Sequence, residues 1–216
     1  MVLSLHIKIS FFLKFCFNIV NFQNIILINF KLIRILDLIL SSLILILISP
    51  FFLILFFICF VETGSPIFIQ NRIGKNEKSF KILKFRTMKI DTPELASHLI
   101  NHRSLTKFGK LIRLLKLDEL PQLINVIKGE MSLVGPRPCL HNQKELIIER
   151  KKNNIFSVRP GITGLSQING IDMSNPKKLT FYDQRMISNF NLNKYFKYLF
   201  LTTFGKGRGD KVNFKY

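Results

Sequence analysis

Asp118 and Glu119 stand side by side in the run LDELPQLINVIKG, and their position suits ionised carboxylates. Pro121 is tolerated only in the first turn of a helix, so a helix is expected to begin at about residues 118–120 and to stop before Gly129. The two acids then lie at a helix N-terminus, where the dipole and free backbone N–H groups favour carboxylates and bound phosphate. The same position equally suits Asp118 as a plain helix cap. Five cationic side chains are candidates to face an anion there. Lys84 and Arg86 are two apart in SFKILKFRTM and share one face of an expected strand, which is either an anion contact or a solvated face. Arg113 lies in an amphipathic helix expected over Leu105–Leu117, among Lys107, Lys110 and Lys116. Arg137 and Arg159 sit in MSLVGPRP and VRPGITGLSQING. Proline fixes φ and glycine permits close approach, so these loops either present N–H groups and a guanidinium to an anion or serve as structural turns.

Something must hold these residues, and composition limits what that is. The chain has 216 residues, enough for one domain with a sizeable core or a small domain with a membrane segment. Its mean hydropathy of +0.25 favours the second. The net charge of +19 raises nucleic acid or an anionic membrane as partners. A chain rich in Ile, Asn, Lys and Phe without a single Trp also reads as AT-rich codon bias, which weakens that inference. Cys16, Cys59 and Cys139 have neither metal-ligand spacing nor disulfide density and fit a reducing, cytoplasm-facing protein. His98 and His102 are four apart with no third ligand nearby, so a zinc site is not expected.

Residues 38–61 carry no charge and match the roughly 20 residues that cross a hydrocarbon core of about 30 Å. Pro50, in the middle, removes a backbone hydrogen bond, and Ser49 before it can satisfy what the break frees. Lys31 and Arg34 precede the segment, and Arg72, Lys75 and Lys78 follow it. Positive charge on both sides favours a re-entrant hairpin over a kinked spanning helix. Residues 1–30 hold apolar runs interrupted by Lys and Asn. They read as neither a clean transmembrane helix nor a signal peptide, and we treat them as an extension of uncertain role.

The expected fold is α/β, mostly α, and membrane-associated. A re-entrant helix-break-helix over 31–61 precedes a small cytoplasmic catalytic domain over 62–188, with a β-hairpin around Lys75–Lys78 and interfacial amphipathic helices. A basic, aromatic tail over 189–216 suits docking at a membrane interface.

The runs SPIFIQNRIGKNEKSFKILKFRTM, LTKFGKLIRLLKLDELPQLINVIKGEMSLVGPRP and VRPGITGLSQING, in that order, resemble the bacterial sugar transferase family, the monotopic polyprenyl-phosphate phosphoglycosyl transferases. The resemblance extends from about Lys31 to Tyr182-Asp183, and the length resembles the family's minimal form. It implies transfer of a sugar-1-phosphate from a UDP-sugar to polyprenyl (undecaprenyl) phosphate, with release of UMP, at the cytoplasmic face of the cell membrane. It also implies that Asp118 is the nucleophile and a Mg²⁺ ligand, that Glu119 assists, and that Ser49-Pro50 is the break in the membrane helix. Arg113 matches a family arginine near the phosphates, Lys84 and Arg86 match the KFR motif and Arg137 the PRP motif, all as candidate phosphate-binding residues, and Arg159 sits in the third matching run. The chain departs from the family at Asn101–Leu105 and at Asn189–Leu192, stretches that bear on sugar choice and membrane docking. Two other readings compete: a degenerate, non-catalytic family member, and a membrane-anchored nucleic-acid-binding adaptor. Arginines fixed in Gly/Pro loops beside an acidic pair disfavour nucleic acid as a partner.

Overall fold

A computed structural model of the chain describes residues 2–92 and 104–205, with side chains from residue 31 onward. His98, His102 and the departure at Asn101–Arg103 lie outside the described residues, as do residues 206–216 of the tail. The chain forms two compact units, one ending at Leu36 and the other beginning at Asp37. The first is helical throughout its described length.

Helix α1 runs Val2–Thr63 and keeps its helical backbone through Pro50. At Ser49-Pro50, where a break is expected, the helical assignment continues with Pro50 inside it. Proline at position 50 denies a donor to the carbonyl of Ile46, four residues back. The Ser49 hydroxyl donates to that same carbonyl at 2.9 Å. One side chain replaces the bond its neighbour removes, and the helix survives. The segment Lys31–Thr63 is long and apolar enough to cross a membrane. The helix ends where Gly64 takes a positive φ of 68° and returns its N–H to the Phe60 carbonyl at 2.7 Å.

The expected hairpin is present. Strands β1 (Ile67–Ile73) and β2 (Ser79–Phe85) pair antiparallel, Ile67 opposite Phe85 and Ile73 opposite Ser79, around a turn at Lys75–Glu77. Helix α2 (Lys107–Leu114) falls inside the stretch expected to be helical, capped by the Thr106 hydroxyl, which accepts from the Gly109 N–H at 2.9 Å. Gly109 lies against the Thr87 carbonyl so closely that a Cβ there would come within 2.2 Å of the oxygen. Leu55 and Cys59 of α1, Phe85 of β2 and Ile112 of α2 form one core. Phe52, Phe56, Ile67, Leu117 and Leu120 pack on it, and the rings of Phe52 and Phe85 stand 4.7 Å apart.

Helix α3 (Gln122–Lys128) ends at Gly129, whose φ of 88° suits a helix stop. The two Gly/Pro runs are more than loops: each contains a three-residue strand, β3 (Ser132–Val134) and β4 (Gly161–Thr163), paired in parallel. Their glycines explain the approach. A Cβ on Gly161 would meet the Gly135 nitrogen at 2.0 Å, so only hydrogen fits between these backbones. Helices α4 (Lys144–Lys152), α5 (Leu165–Ile168), α6 (Pro176–Ser188) and α7 (Leu192–Thr203) complete the unit. Ile73, Cys139, Leu146 and Leu179 form a second core.

The aromatic tail divides by face. Tyr195 and Tyr198 of α7 are buried, while Phe196, Phe200 and Phe204 are 49%, 61% and 71% exposed. The Tyr195 hydroxyl donates to Asp37 Oδ1 at 2.9 Å, and the Leu133 N–H donates to the same oxygen at 3.0 Å. Helix α7 thus belongs to the unit that begins at Asp37.

Candidate active site

The acidic pair occupies a single 3₁₀ turn, Leu117–Glu119, entered through Lys116 in a left-handed conformation (φ 59°). The expectation that the pair begins helix α3 is corrected: the 3₁₀ turn precedes it, and Pro121 is the residue just outside the helix. The pattern Leu-Asp-Glu-Leu explains the presentation. Leu117 and Leu120, three apart, both pack on the core beneath, leaving the two acids on the rest of the turn. Asp118 is nevertheless 94% removed from solvent, being 6% exposed.

Glu119 Oε1 lies 2.8 Å from Lys84 Nζ and 3.6 Å from Arg137 Nη2. The three side chains are mostly shielded, with exposures of 12%, 22% and 13% for Lys84, Arg137 and Glu119. Partial burial strengthens such attractions relative to open water. One carboxylate is thus shared by cations from β2 and from the Pro136–Pro138 loop, which ties the hairpin, the acidic turn and the loop to a single point.

Asn125 sets the distance between α3 and β2. Its Oδ1 accepts from the Leu83 N–H at 3.0 Å, and its Nδ2 donates to the Lys81 carbonyl at 2.8 Å and to Glu130 Oε2 at 2.7 Å. The amide stands in for a neighbouring strand along the edge that β1 does not use. Lys84, one residue further along β2, is thereby held at the level of the acidic turn. Our sequence reading passed over Asn125. The signal was a lone asparagine within the apolar stretch LINVI.

The remaining expected cations divide. Arg86 donates from Nε to the Ser65 carbonyl at 2.9 Å and stacks 5.5 Å from the Phe68 ring centre, fastening the junction of α1 with β1. Arg159 donates from Nε to the Gly129 carbonyl at 2.8 Å, at the end of α3. These contacts are with main chain and ring, whereas Lys84 and Arg137 meet the acidic pair directly. Arg113 has a buried Nη1 with no hydrogen-bond partner among the described residues, and Gln122 has a buried Nε2 in the same condition. Buried donors left without an acceptor are costly, and an anion would satisfy them. Sequence reasoning named Arg113 and missed Gln122.

No cluster of three or more His, Cys, Asp or Glu side chains that could cage a metal is present among the described residues. Magnesium does not require one, because it keeps waters and takes one or two carboxylates plus substrate phosphates. Asp118, beside a Glu119 already engaged with two cations, fits that limited role. Burial pushes the Cys139 thiol up, against the opposing pull of Arg150 and Arg72, which makes it a weak nucleophile.

Comparison with known proteins gives a consistent result. The profile of the bacterial sugar transferase family matches residues 28–207. The chain is 43% identical over 152 residues to the uncharacterized sugar transferase EpsL of Bacillus subtilis (strain 168), an alignment covering 69% of this chain and 75% of that protein. It is 38% identical over 157 residues to the exopolysaccharide production protein ExoY of Rhizobium meliloti (strain 1021), covering 64% and 69%. It is also 36% identical over 139 residues to a UDP-N-acetylgalactosamine-undecaprenyl-phosphate N-acetylgalactosaminephosphotransferase of Aeromonas hydrophila, covering 60% and 32%. Of several longer relatives the chain spans 35% or less.

Proposed function

The chain belongs to the bacterial sugar transferase family, and from that premise we propose that it moves a sugar-1-phosphate from a UDP-sugar to polyprenyl phosphate, with Asp118 as nucleophile. The observation that carries this reading is the division of labour within the acidic turn. Glu119 is engaged by Lys84 and Arg137, and Asp118, next to it in the same turn, is buried. The name of the Aeromonas relative, with its UDP-sugar and undecaprenyl phosphate, supports the choice of substrates.

In the first step an Asp118 carboxylate oxygen attacks the β-phosphorus of the UDP-sugar. The bond from that phosphorus to the bridging oxygen breaks, and UMP leaves with the electron pair. The sugar phosphate stays on Asp118 as an acyl phosphate. An oxygen of polyprenyl phosphate then attacks the same phosphorus, and the Asp118–phosphorus bond breaks. The products are a polyprenyl diphosphate sugar and the original carboxylate. A carboxylate approaching a diphosphate meets like charge. Lys84, Arg137 and Arg113 are the side chains that offset it, and Arg113 Nη1 has donor capacity to spare. Mg²⁺ held by Asp118 would supply further neutralisation of the phosphate oxygens.

The reading also assigns the apolar segment a purpose. A lipid phosphate keeps its tail in the bilayer and its head at the surface, where a soluble nucleotide sugar arrives from the cytoplasm. A helix that enters and returns on that face, bending at Pro50, meets both. Positive charge on either side, Lys31 and Arg34 against Arg72, Lys75 and Lys78, supports this topology.

The test is UMP release from a panel of UDP-sugars (galactose, glucose and the N-acetylhexosamines) by membranes carrying the protein, with polyprenyl phosphate added. Repeated turnover that needs the protein, the lipid and Mg²⁺ is expected with at least one sugar, release without lipid being limited to the first step. No release with any of them under conditions where a related transferase turns over would contradict the activity.

A further inference from the structure

Arg137 is flanked by Pro136 and Pro138, neither of which has an N–H to donate. The loop is therefore held through its carbonyls, and all three of them are taken. The Gly161 N–H donates to the Pro136 carbonyl at 2.9 Å. Arg150 Nη1 donates to the Arg137 carbonyl at 2.7 Å. Arg72 Nη1 donates to the Pro138 carbonyl at 3.1 Å, while its Nη2 rests on Gln70 Oε1 at 2.7 Å.

Of these anchors Arg150 is the least expected from the sequence. It is 2% exposed, far from the acidic turn in sequence, and its second nitrogen pairs with Asp183 Oδ2 at 2.6 Å. Asp183 is fully buried and accepts from the Ser166 hydroxyl at 3.0 Å on its other oxygen. Helices α4, α5 and α6 thus each contribute one member of a buried chain that ends on the main chain of Arg137. Such a pair is a weak source of net stability, since apolar residues of similar volume often serve as well. What an apolar pair cannot do is hold a carbonyl.

We infer that Arg150 is a positioning residue for the reaction: fixed by Asp183 and Ser166, it sets the peptide plane after Arg137 and so the direction in which that guanidinium reaches the acidic pair. The inference rests on Arg137 being a phosphate-binding residue, as proposed above. A displacement of about 1 Å in such a group can cost on the order of 10²-fold in rate.

The experiment compares purified full-length variants by UMP release and by thermal midpoint. Arg150→Met combined with Asp183→Leu removes the donor while leaving a packed interior. Turnover about 10²-fold below wild type is expected at temperatures where the thermal scan shows the variant folded. Adding Arg137→Ala to that pair should then cost nothing beyond the loss seen for Arg137→Ala alone. Wild-type turnover in the apolar pair, or losses that multiply when the substitutions are combined, would show Arg150 to be merely structural. Should the apolar pair not fold, Arg150→Lys keeps a charge beside Asp183 and is read by the same two criteria. Arg137→Ala alone separates this inference from its premise. If that variant keeps full turnover, the phosphate-binding reading itself is overturned. If it loses turnover and the Arg150 variants do not, only the positioning role is.

Discussion

At the residue scale, the acidic pair is asymmetric. Glu119 is committed to Lys84 and Arg137, so its charge organises the site more than it reacts. Glu119→Gln should keep the fold and lower turnover by about 10²–10⁴-fold, the range for a lost helper group, with UMP release as the measurement. A variant within threefold of wild type would remove Glu119 from the machinery. The residue types were legible from sequence. Lys84 and Arg137, named from sequence, both meet Glu119. Spacing placed Arg86 on the same strand face as Lys84, but β2 ends at Phe85, and beyond the ladder strand alternation no longer governs direction. Arg86 turns to Ser65 and Phe68 instead. Arg159 had the same Gly/Pro surroundings as Arg137 and holds the end of α3. Local composition cannot distinguish an arginine that binds an anion from one that binds a carbonyl.

At the scale of elements, the site depends on how α3 meets β2. Asn125 makes three hydrogen bonds at that contact and is fully buried. Asn125→Ala leaves the Leu83 N–H and the Lys81 carbonyl without their partner, at about 1–3 kcal/mol for each group. A clear fall in thermal midpoint is expected, together with reduced turnover at temperatures where the variant is still folded. An unchanged midpoint would mean that other contacts set this spacing. The hairpin and α2 were readable from alternation, a polar turn and amphipathic spacing. The parallel pair β3–β4 was not, because three-residue strands carry no alternation and their partners are about 30 residues apart in sequence. The part expected of Ser49 was legible too: its hydroxyl donates to the Ile46 carbonyl that Pro50 leaves bare.

At the scale of the whole molecule, long-range polar contacts tie α1 to α7. Tyr195 and the Leu133 N–H converge on Asp37, a buried carboxylate on α1. No sequence pattern links positions that far apart. Burial pushes the Tyr195 phenol well above its ordinary value of 10.0, and the Asp37 charge and its hydrogen bond add to that. The folded protein therefore keeps a proton that the unfolded chain releases near pH 10. Stability from this contact is full below that pH and falls as pH rises above it. Thermal midpoints from pH 8 to 11 should fall more steeply for wild type than for Tyr195→Phe, and equal slopes would contradict the assignment. Topology is tested at the same scale by cysteines engineered at Gln23 and Lys75. Neither should react with a membrane-impermeant reagent applied from outside, and reaction at one alone would replace the hairpin with a spanning helix.

The central claim is that Asp118 forms a bond to the transferred phosphate. Asp118→Asn removes the attacking oxygen anion while nearly preserving shape. Membranes with wild-type protein, given a UDP-sugar labelled in the β-phosphate and no lipid acceptor, should retain label on the chain and release UMP. Membranes with Asp118→Asn should do neither and should show no turnover when polyprenyl phosphate is added. Most of the wild-type turnover surviving in Asp118→Asn would contradict the account.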